Sequence, residues 1–346
     1  ADGRILADDT PEVLLRGQLL QKIGLREPLY LEAAEFAGID LKQATHLANL
    51  ETFDAPDLGT KLAAFTTEAP KTVADQTQTP LLTVAGLQFA YPKGRQIFTD
   101  LNLTLHHGEM VALVGRNGVG KSTLSHLIAG FLNPNAGQIT LDGEDLATWS
   151  VKERADKIGY ILQDPNQMIS KHLIFDEVAL GPRLRGWDED RVKSAVLSAL
   201  KVCGLYPFRS WPINALSYGQ KKRVTIAAIL VLEPALMILD EPTAGQDWRH
   251  FTDMMRFLTK LNDQGITMML ITHDMHLMLE YAQRAIVLGD GGVLMDATPA
   301  AVLTNPDVIQ HASLAQPSLY RLAKRLNLDP LAFTQAVIDQ ERRVRQ

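Results

Sequence analysis

The chain has 346 residues, 46% hydrophobic and 21% charged, with a formal net charge of -6. That is material for one large domain or two ordinary ones around a buried core, in the composition of a globular protein. The charge balance gives no sign of a nucleic-acid-binding face. The lone Cys203 excludes an internal disulfide, and no apolar run approaches the roughly 20 residues of a membrane-spanning helix. The first residues do not read as a basic, then apolar, leader. We expect a soluble, cytoplasmic chain, with any membrane role exerted through a partner.

Ala1 to Leu15 (ADGRILADDTPEVLL) matches Gly289 to Leu303 (GDGGVLMDATPAAVL) at a constant offset. The shared Asp-Gly reads as a hairpin turn and the shared Thr-Pro as a helix start. Further on, Pro28-Leu29-Tyr30 resembles Pro317-Ser318-Leu319-Tyr320, and Ile39-Asp40 resembles Leu328-Asp329. Such a repeat indicates two related domains. Residues 1–51 are therefore expected to be the tail of a first domain within a longer tandem protein. Residues 52–80, rich in Thr, Ala and Pro, read as a linker.

A complete domain is expected over 81–303, with a helical extension over 304–346. Leu82–Ala85 and Leu87–Tyr91 read as strands, and Leu101–Leu105 alternates as a half-buried antiparallel strand does. His106 and His107 read as exposed turn residues. Met110–Val114 is a buried strand, followed by Gly115-Arg116-Asn117-Gly118-Val119-Gly120-Lys121-Ser122-Thr123 and a helix start. Asp190–Leu205 reads as an amphipathic helix, with Trp187, Trp211 and Pro212 packing around it. Leu236–Leu239 is an apolar strand ending in Asp240 and Glu241. Asp253–Leu261 reads as a surface helix, Met268–Ile271 as another buried strand, and Leu319–Leu326 as a helix followed by a second from Pro330.

The spacing G-x-x-x-x-G-K-S between a strand and a helix suits a phosphate-cradling loop. Glycines turn backbone N–H groups inward, and the helix N-terminus adds unpaired donors and a positive dipole end. Lys121 would reach the β- and γ-phosphates, and Ser122 would ligate Mg²⁺. Asp240, at the C-terminal end of a parallel strand, is placed to hold Mg²⁺ through water. Glu241, one residue further, would orient or polarise an attacking water.

Leu216-Ser217-Tyr218-Gly219-Gln220, followed by Lys221-Lys222-Arg223, resembles the signature sequence of ATP-binding-cassette ATPases. Gln163 matches that family's Q-loop glutamine, His273 its switch histidine, Ala244-Gly245-Gln246-Asp247 its D-loop and Tyr91 its adenine-stacking aromatic. The resemblance runs from Leu81 to Leu303 with every motif in order. It implies an α/β P-loop NTPase cassette with a mixed central sheet, an antiparallel β-subdomain and a helical subdomain carrying the signature. It implies that Tyr91, Gly115, Asn117, Gly118, Gly120, Lys121, Ser122 and Thr123 bind ATP. Ser217, Gly219, Gln220 and Asp247 would serve a nucleotide sandwiched against a second cassette. Mg²⁺ would be held by Ser122, Gln163 and Asp240, and catalysis carried by Glu241, His273 and Gln163, with a neutral His273 bonding the γ-phosphate. Tyr218 departs from the family's usual glycine, and Gly245-Gln246 from its usual D-loop pair.

Gln163-Asp164-Pro165-Asn166-Gln167 and Ile174-Phe175-Asp176-Glu177-Val178-Ala179-Leu180-Gly181-Pro182 resemble the ATPase subunits of energy-coupling-factor transporters. Those import vitamins and metal ions such as cobalt and nickel in prokaryotes. The resemblance implies an ATPase peripheral to the cytoplasmic face of a membrane, a transmembrane coupling subunit and a separate substrate-binding membrane subunit. The cargo would be a vitamin, a thiamine precursor or a metal ion. Asp176 and Glu177 either pair with basic groups on coupling helices or simply open a solvated helix. The alternative is a soluble cassette ATPase acting on ribosomes or DNA. The low charge of 52–80 and the single cysteine stand against it, and no nucleic-acid partner is expected.

Overall fold

The computed structural model describes residues 5–16, 19–23, 25–68, 79–92 and 94–345. The described chain opens with helices α1 (Pro11–Arg16), α2 (Leu19–Lys22), α3 (Leu29–Phe36) and α4 (Leu58–Glu68). Strands β1 (Pro80–Ala90), β2 (Gln96–His106) and β3 (Met110–Val114) lead to α5 (Lys121–Ala129). Next come β4 (Ala136–Leu141), β5 (Glu144–Asp145), α6 (Val151–Ala155) and β6 (Ile158–Ile161). A helical segment follows: α7 (Ile174–Leu184), α8 (Glu189–Val202) and α9 (Tyr218–Leu230). The chain continues through β7 (Leu236–Asp240), α10 (Trp248–Asn262), β8 (Thr267–Ile271), α11 (Met275–Tyr281), β9 (Arg284–Gly289) and β10 (Gly292–Ala297). It ends in α12 (Pro299–Leu303), α13 (Pro306–His311), α14 (Ser318–Arg325) and α15 (Pro330–Arg345).

Among the described residues the strands form two sheets, ordered β2-β1-β4-β5 and β10-β9-β3-β8-β7-β6. The first is antiparallel; the second is parallel from β9 to β6, with β10 antiparallel at its edge. This is the mixed central sheet and antiparallel subdomain that the motifs imply. The two short strands expected over 82–91 are one strand, β1, with a register shift between Val84 and Leu87 where the pairing with β2 is irregular. Asp290 and Gly291, at φ 47° and 81°, make the two-residue hairpin turn between β9 and β10.

Alternation along the central strands sends side chains to opposite faces. Ile238, Met269 and Ile271 join the core shared with the antiparallel sheet and α5. Met237, Leu239, Met268 and Leu270 join the core under α7 to α10. With both faces covered, the strands carry near-continuous apolar sequence. The expected surface helix over 253–261 is longer and less exposed: α10 starts at Trp248, capped by Asp247, and buries Phe251, Met254, Leu258 and Leu261. Trp187 packs under the Arg191 guanidinium and against the core below α7 to α10, as expected, whereas Trp211 is exposed and touches Phe208 edge-on.

The expected linker is where structure departs most from composition. Residues 58–68 are α4, with Leu58 and Leu62 buried and Phe65 packed against the same core. Their i, i+4, i+7 spacing is one helical face, masked in the sequence by the surrounding Thr and Ala. Residues 69–78 of that segment lie outside the described residues, as do residues 1–4 of the repeat. Two parts of the repeat have structural counterparts: Thr10 precedes α1, which opens at Pro11, as Thr298 precedes α12, which opens at Pro299, and Pro28 precedes α3 as Pro317 precedes α14. Residues 5–9, by contrast, form no strand to match β10. Helix α3 packs on α14 and α4 on α15, and Leu15, Leu31, Leu62, Leu303, Leu322 and Phe333 share one core. The expected boundaries at 51/52 and 303/304 fall inside that core.

Candidate functional site

Strand β3 delivers Gly115 to the C-terminal edge of the sheet, and the loop returns into α5 at Lys121. Gly120, at φ 115°, lies so close to β2 that an added Cβ would stand 2.6 Å from Ile97 Cγ2 and 2.7 Å from Phe98 Cζ. Only glycine takes this backbone at this approach. Lys121 Nζ donates to the carbonyls of Gly115 (2.7 Å) and Arg116 (3.1 Å), closing the loop around its own ammonium. Burial pushes the Lys121 pKa down, and Glu241 and Asp240 pull it back up. At the far end of α5, the buried Arg154 donates to the carbonyls of Leu127 (2.9 Å), Ile128 (3.2 Å) and Leu146 (2.6 Å). It satisfies last-turn carbonyls and places a cation at the negative dipole end.

The facing wall comes from the ends of β7 and β8. Burial raises the Asp240 pKa, the neighbouring Glu241 raises it further, and Lys222, His126 and Lys121 lower it. Glu241, at φ 44°, turns its carboxylate onto the segment after β8. Its Oε1 accepts from the His273 backbone N–H (3.1 Å) and lies 2.6 Å from His273 Nδ1, while Oε2 accepts from Thr272 Oγ1 (3.3 Å). A carboxylate only accepts, so in the neutral ring the proton sits on Nδ1 and Nε2 has none to donate. For His273 to donate to a γ-phosphate, the pair must part or the ring must gain a second proton.

These groups surround one cavity of about 930 Å³. Tyr91, Gly115, Asn117, Gly118, Gly120, Lys121, Ser122 and Thr123 line it, as do Gln163, Asp240, Glu241 and His273. The Tyr91 hydroxyl lies 3.2 Å from Thr123 Oγ1, which ties the aromatic ring to the start of α5. Ser217, Gly219, Gln220 and Asp247 are not in this cavity. At the start of α9 Ser217 is exposed and Gly219 half-buried; Ser217 Oγ accepts from the Gln220 N–H (3.3 Å) and Gln220 Oε1 accepts from the Ser217 N–H (3.0 Å). That reciprocal cap occupies the Gln220 carbonyl oxygen. Asp247 caps α10 through the His250 N–H (2.9 Å). Ile97, Met275 and the loop Ser313–Ala315 also line the cavity and were not anticipated. The last comes from between α13 and α14, and no local motif marks it.

Among the described residues, no group of three or more His, Cys, Asp or Glu side chains could hold a metal. His107 faces Asp142 (2.8 Å), and His106 lies beside Glu109 (3.4 Å). No helix among them is long and apolar enough to cross a membrane.

The profile of the ABC transporter family matches residues 98–244, and that of the ATP-binding cassette cobalt transporter family matches residues 17–89. A solved structure of cbiO1 from Clostridium perfringens, described as part of the ABC transporter complex cbiONQ, superposes with a TM-score of 0.63. It shares 33% identity, over 71% of this chain and 99% of that one. The chain belongs to the ABC transporter ATPases. Its likeness within them is to the cobalt-type, energy-coupling-factor branch. An ABC transporter ATP-binding protein of Lactiplantibacillus plantarum is 59% identical over 99% of this chain and 61% of its own length. One of Enterococcus faecalis is 51% identical over the same shares. The chain thus spans about three-fifths of the length of these curated relatives. The ADP conformation of the cassette MJ1267, at 23% identity and TM-score 0.61, shares the fold over 67% of this chain. This ABC ATPase carries Tyr218 at the start of α9, and one helical core brings α1 to α4 together with α12 to α15.

Proposed function

We propose that this ABC ATPase binds and hydrolyses ATP in the cavity lined by Lys121, Asp240 and Glu241, as the motor of a membrane importer. One observation carries the reading. The phosphate loop, Asp240 and the Glu241–His273 pair converge on one cavity, while the exposed Ser217 and the half-buried Gly219 lie outside it. Their donors are available to a nucleotide held by another cassette, so the hydrolysing unit is a pair.

Within the cavity, the N–H groups at the start of α5 and the Lys121 ammonium would bind the β- and γ-phosphates. Tyr91 would stack on the base, a contact worth roughly 1–3 kcal/mol by analogy with nucleic-acid stacking. The donor set of Ser122 hydroxyl, Gln163 amide and Asp240 carboxylate is all hard oxygen, which fits Mg²⁺ shared with substrate phosphates. When bound, the metal would neutralise phosphate charge and offset the like-charge strain between Asp240 and Glu241. Glu241, released from His273, would accept a hydrogen bond from the attacking water and hold it in line. His273 would then be free to contact the γ-phosphate.

The test is Glu241→Gln. It should keep nucleotide affinity within about threefold and lower turnover by roughly 10²–10⁴, the range for loss of a positioned base. Undiminished hydrolysis would overturn the assignment.

The transport reading is the finer part. It is supported by the cobalt-transporter profile over 17–89 and by the cbiO1 neighbour, itself part of a membrane complex. On it, the protein sits at the cytoplasmic face of the membrane with a second cassette, a coupling subunit and a separate subunit that recognises a vitamin, thiamine precursor or metal ion. Pull-down of the full-length protein from solubilised membranes should bring down hydrophobic membrane subunits; recovery of ribosomes alone would favour the soluble class.

A further inference from the structure

The side chain at 218 stands where the family usually has glycine, and it makes a contact that a glycine cannot. The Tyr218 hydroxyl donates to the Gln163 carbonyl at 3.0 Å. One turn later, Lys222, only 1% exposed, donates from Nζ to the carbonyls of Leu162 (2.7 Å) and Gln163 (2.8 Å). Lys221 Nζ donates to Asn166 Oδ1 at 3.1 Å. The start of α9 therefore grips the main chain that leaves β6, and both lone pairs of the Gln163 carbonyl are engaged.

Gln163 belongs to both sides of the junction. Gln163 lines the nucleotide cavity, while its carbonyl is held by the turn that carries the exposed Ser217 and the half-buried Gly219. The two holds differ in what they anchor. Lys222 fixes the body of α9, whereas Tyr218 fixes the signature turn itself. With glycine at 218, the Lys221 and Lys222 bonds from α9 would remain, while residues 217–219 would have no side-chain bond of their own to this loop.

We infer that Tyr218 is a positioning residue that latches the signature turn to the Gln163 loop. A shift of Gln163 at one nucleotide is thereby passed to the donors offered to the nucleotide of the second cassette. This rests on the ATPase reading above, although the latch itself is testable without turnover.

The experiment is hydrogen exchange by mass spectrometry on the full-length protein, comparing the parent with Tyr218→Phe and Tyr218→Gly. A neutral hydrogen bond of ordinary strength corresponds to a factor of about three to ten in local opening. Without nucleotide, the peptide spanning residues 162–170 should exchange faster by that factor in both variants, the phenylalanine showing that the hydroxyl is responsible. With ATP and Mg²⁺, exchange in the parent should change over both 162–170 and 216–222. In Tyr218→Phe the change should be confined to the former, with kcat lowered about three- to tenfold and KM within twofold. Equal exchange of 162–170 in parent and Tyr218→Phe would overturn the latch. If ATP left residues 115–123 of the parent unaffected, the nucleotide-site reading would fail instead, and the first comparison would still decide the latch.

Discussion

Gly120→Ala offers a sharp test of how the phosphate loop is built. The new Cβ would stand 2.6 Å from Ile97 Cγ2, 2.7 Å from Phe98 Cζ and 3.0 Å from Phe98 Cε1, on a backbone at φ 115°. Overpacking of this kind costs about 1–3 kcal/mol, and holding a non-glycine residue in that backbone region costs about 1–3 more. The sum, roughly 2–6 kcal/mol, is a large part of the 5–15 kcal/mol typical of a domain. Relief by moving the loop off β2 would displace the N–H groups at the start of α5, so affinity should fall along with stability. Gly118→Ala is the control: φ is 76° and nothing lies within 4 Å of the added carbon, so only the left-handed penalty of about 1–2 kcal/mol applies. Urea melts of the two variants, with ATP binding by calorimetry, should separate them by at least about 1 kcal/mol and tenfold in Kd. Adding Phe98→Leu to Gly120→Ala should recover part of the loss. A Gly120→Ala protein as stable and as tight-binding as its parent would refute the packing argument.

Arg154→Met keeps the aliphatic stem and removes three charge-assisted hydrogen bonds, to the carbonyls of Leu127, Ile128 and Leu146, of which the first and last keep the N–H groups of Gly130 and Trp149 as donors. It should lower stability by about 1–3 kcal/mol in a urea melt, and a change under 0.5 kcal/mol would contradict the role given to it. Burial pushes the Cys203 thiol up to about 12. At pH 8 only about one folded thiol in 10⁴ is ionised, so iodoacetamide should label the native protein roughly 10³-fold more slowly than the urea-unfolded chain. The sign of the pH effect follows: above pH 9 the unfolded thiol loses its proton first, so this group withdraws stability as pH rises, by about 1.4 kcal/mol per unit. Native labelling at the unfolded rate would show that Cys203 is not buried.

What could be read from the chain was what is local in it. The phosphate loop, the strand ending in Asp240 and the hairpin at Asp290-Gly291 each declare themselves within a dozen residues, because a turn, a cap or a buried strand is a short-range object. The bond between Glu241 and His273 joins residues 32 apart through the register of β7 and β8, and spacing alone does not reveal it. Helix α4 was hidden for a different reason: a stripe of Leu58, Leu62 and Phe65 in a Thr- and Ala-rich segment looks like a linker until its partner, α15, is in place. The loop Ser313–Ala315 reaches the cavity only because α12 to α15 fold back on the sheet, an outcome of tertiary packing. Tyr218 was legible as a departure from the signature, and its partner was not.

The central claim is that ATP lies between the Lys121 loop of one cassette and the Ser217–Gly219 turn of another. The most direct measurement is a cryo-electron-microscopy structure of the full-length Glu241→Gln protein with ATP and Mg²⁺. We predict Lys121 Nζ on the β- and γ-phosphates and, within hydrogen-bond reach of a γ-phosphate, the Ser217 hydroxyl and Gly219 N–H from across the interface. A nucleotide bound in the cavity with Ser217 facing solvent, and no second cassette over it, would contradict the account.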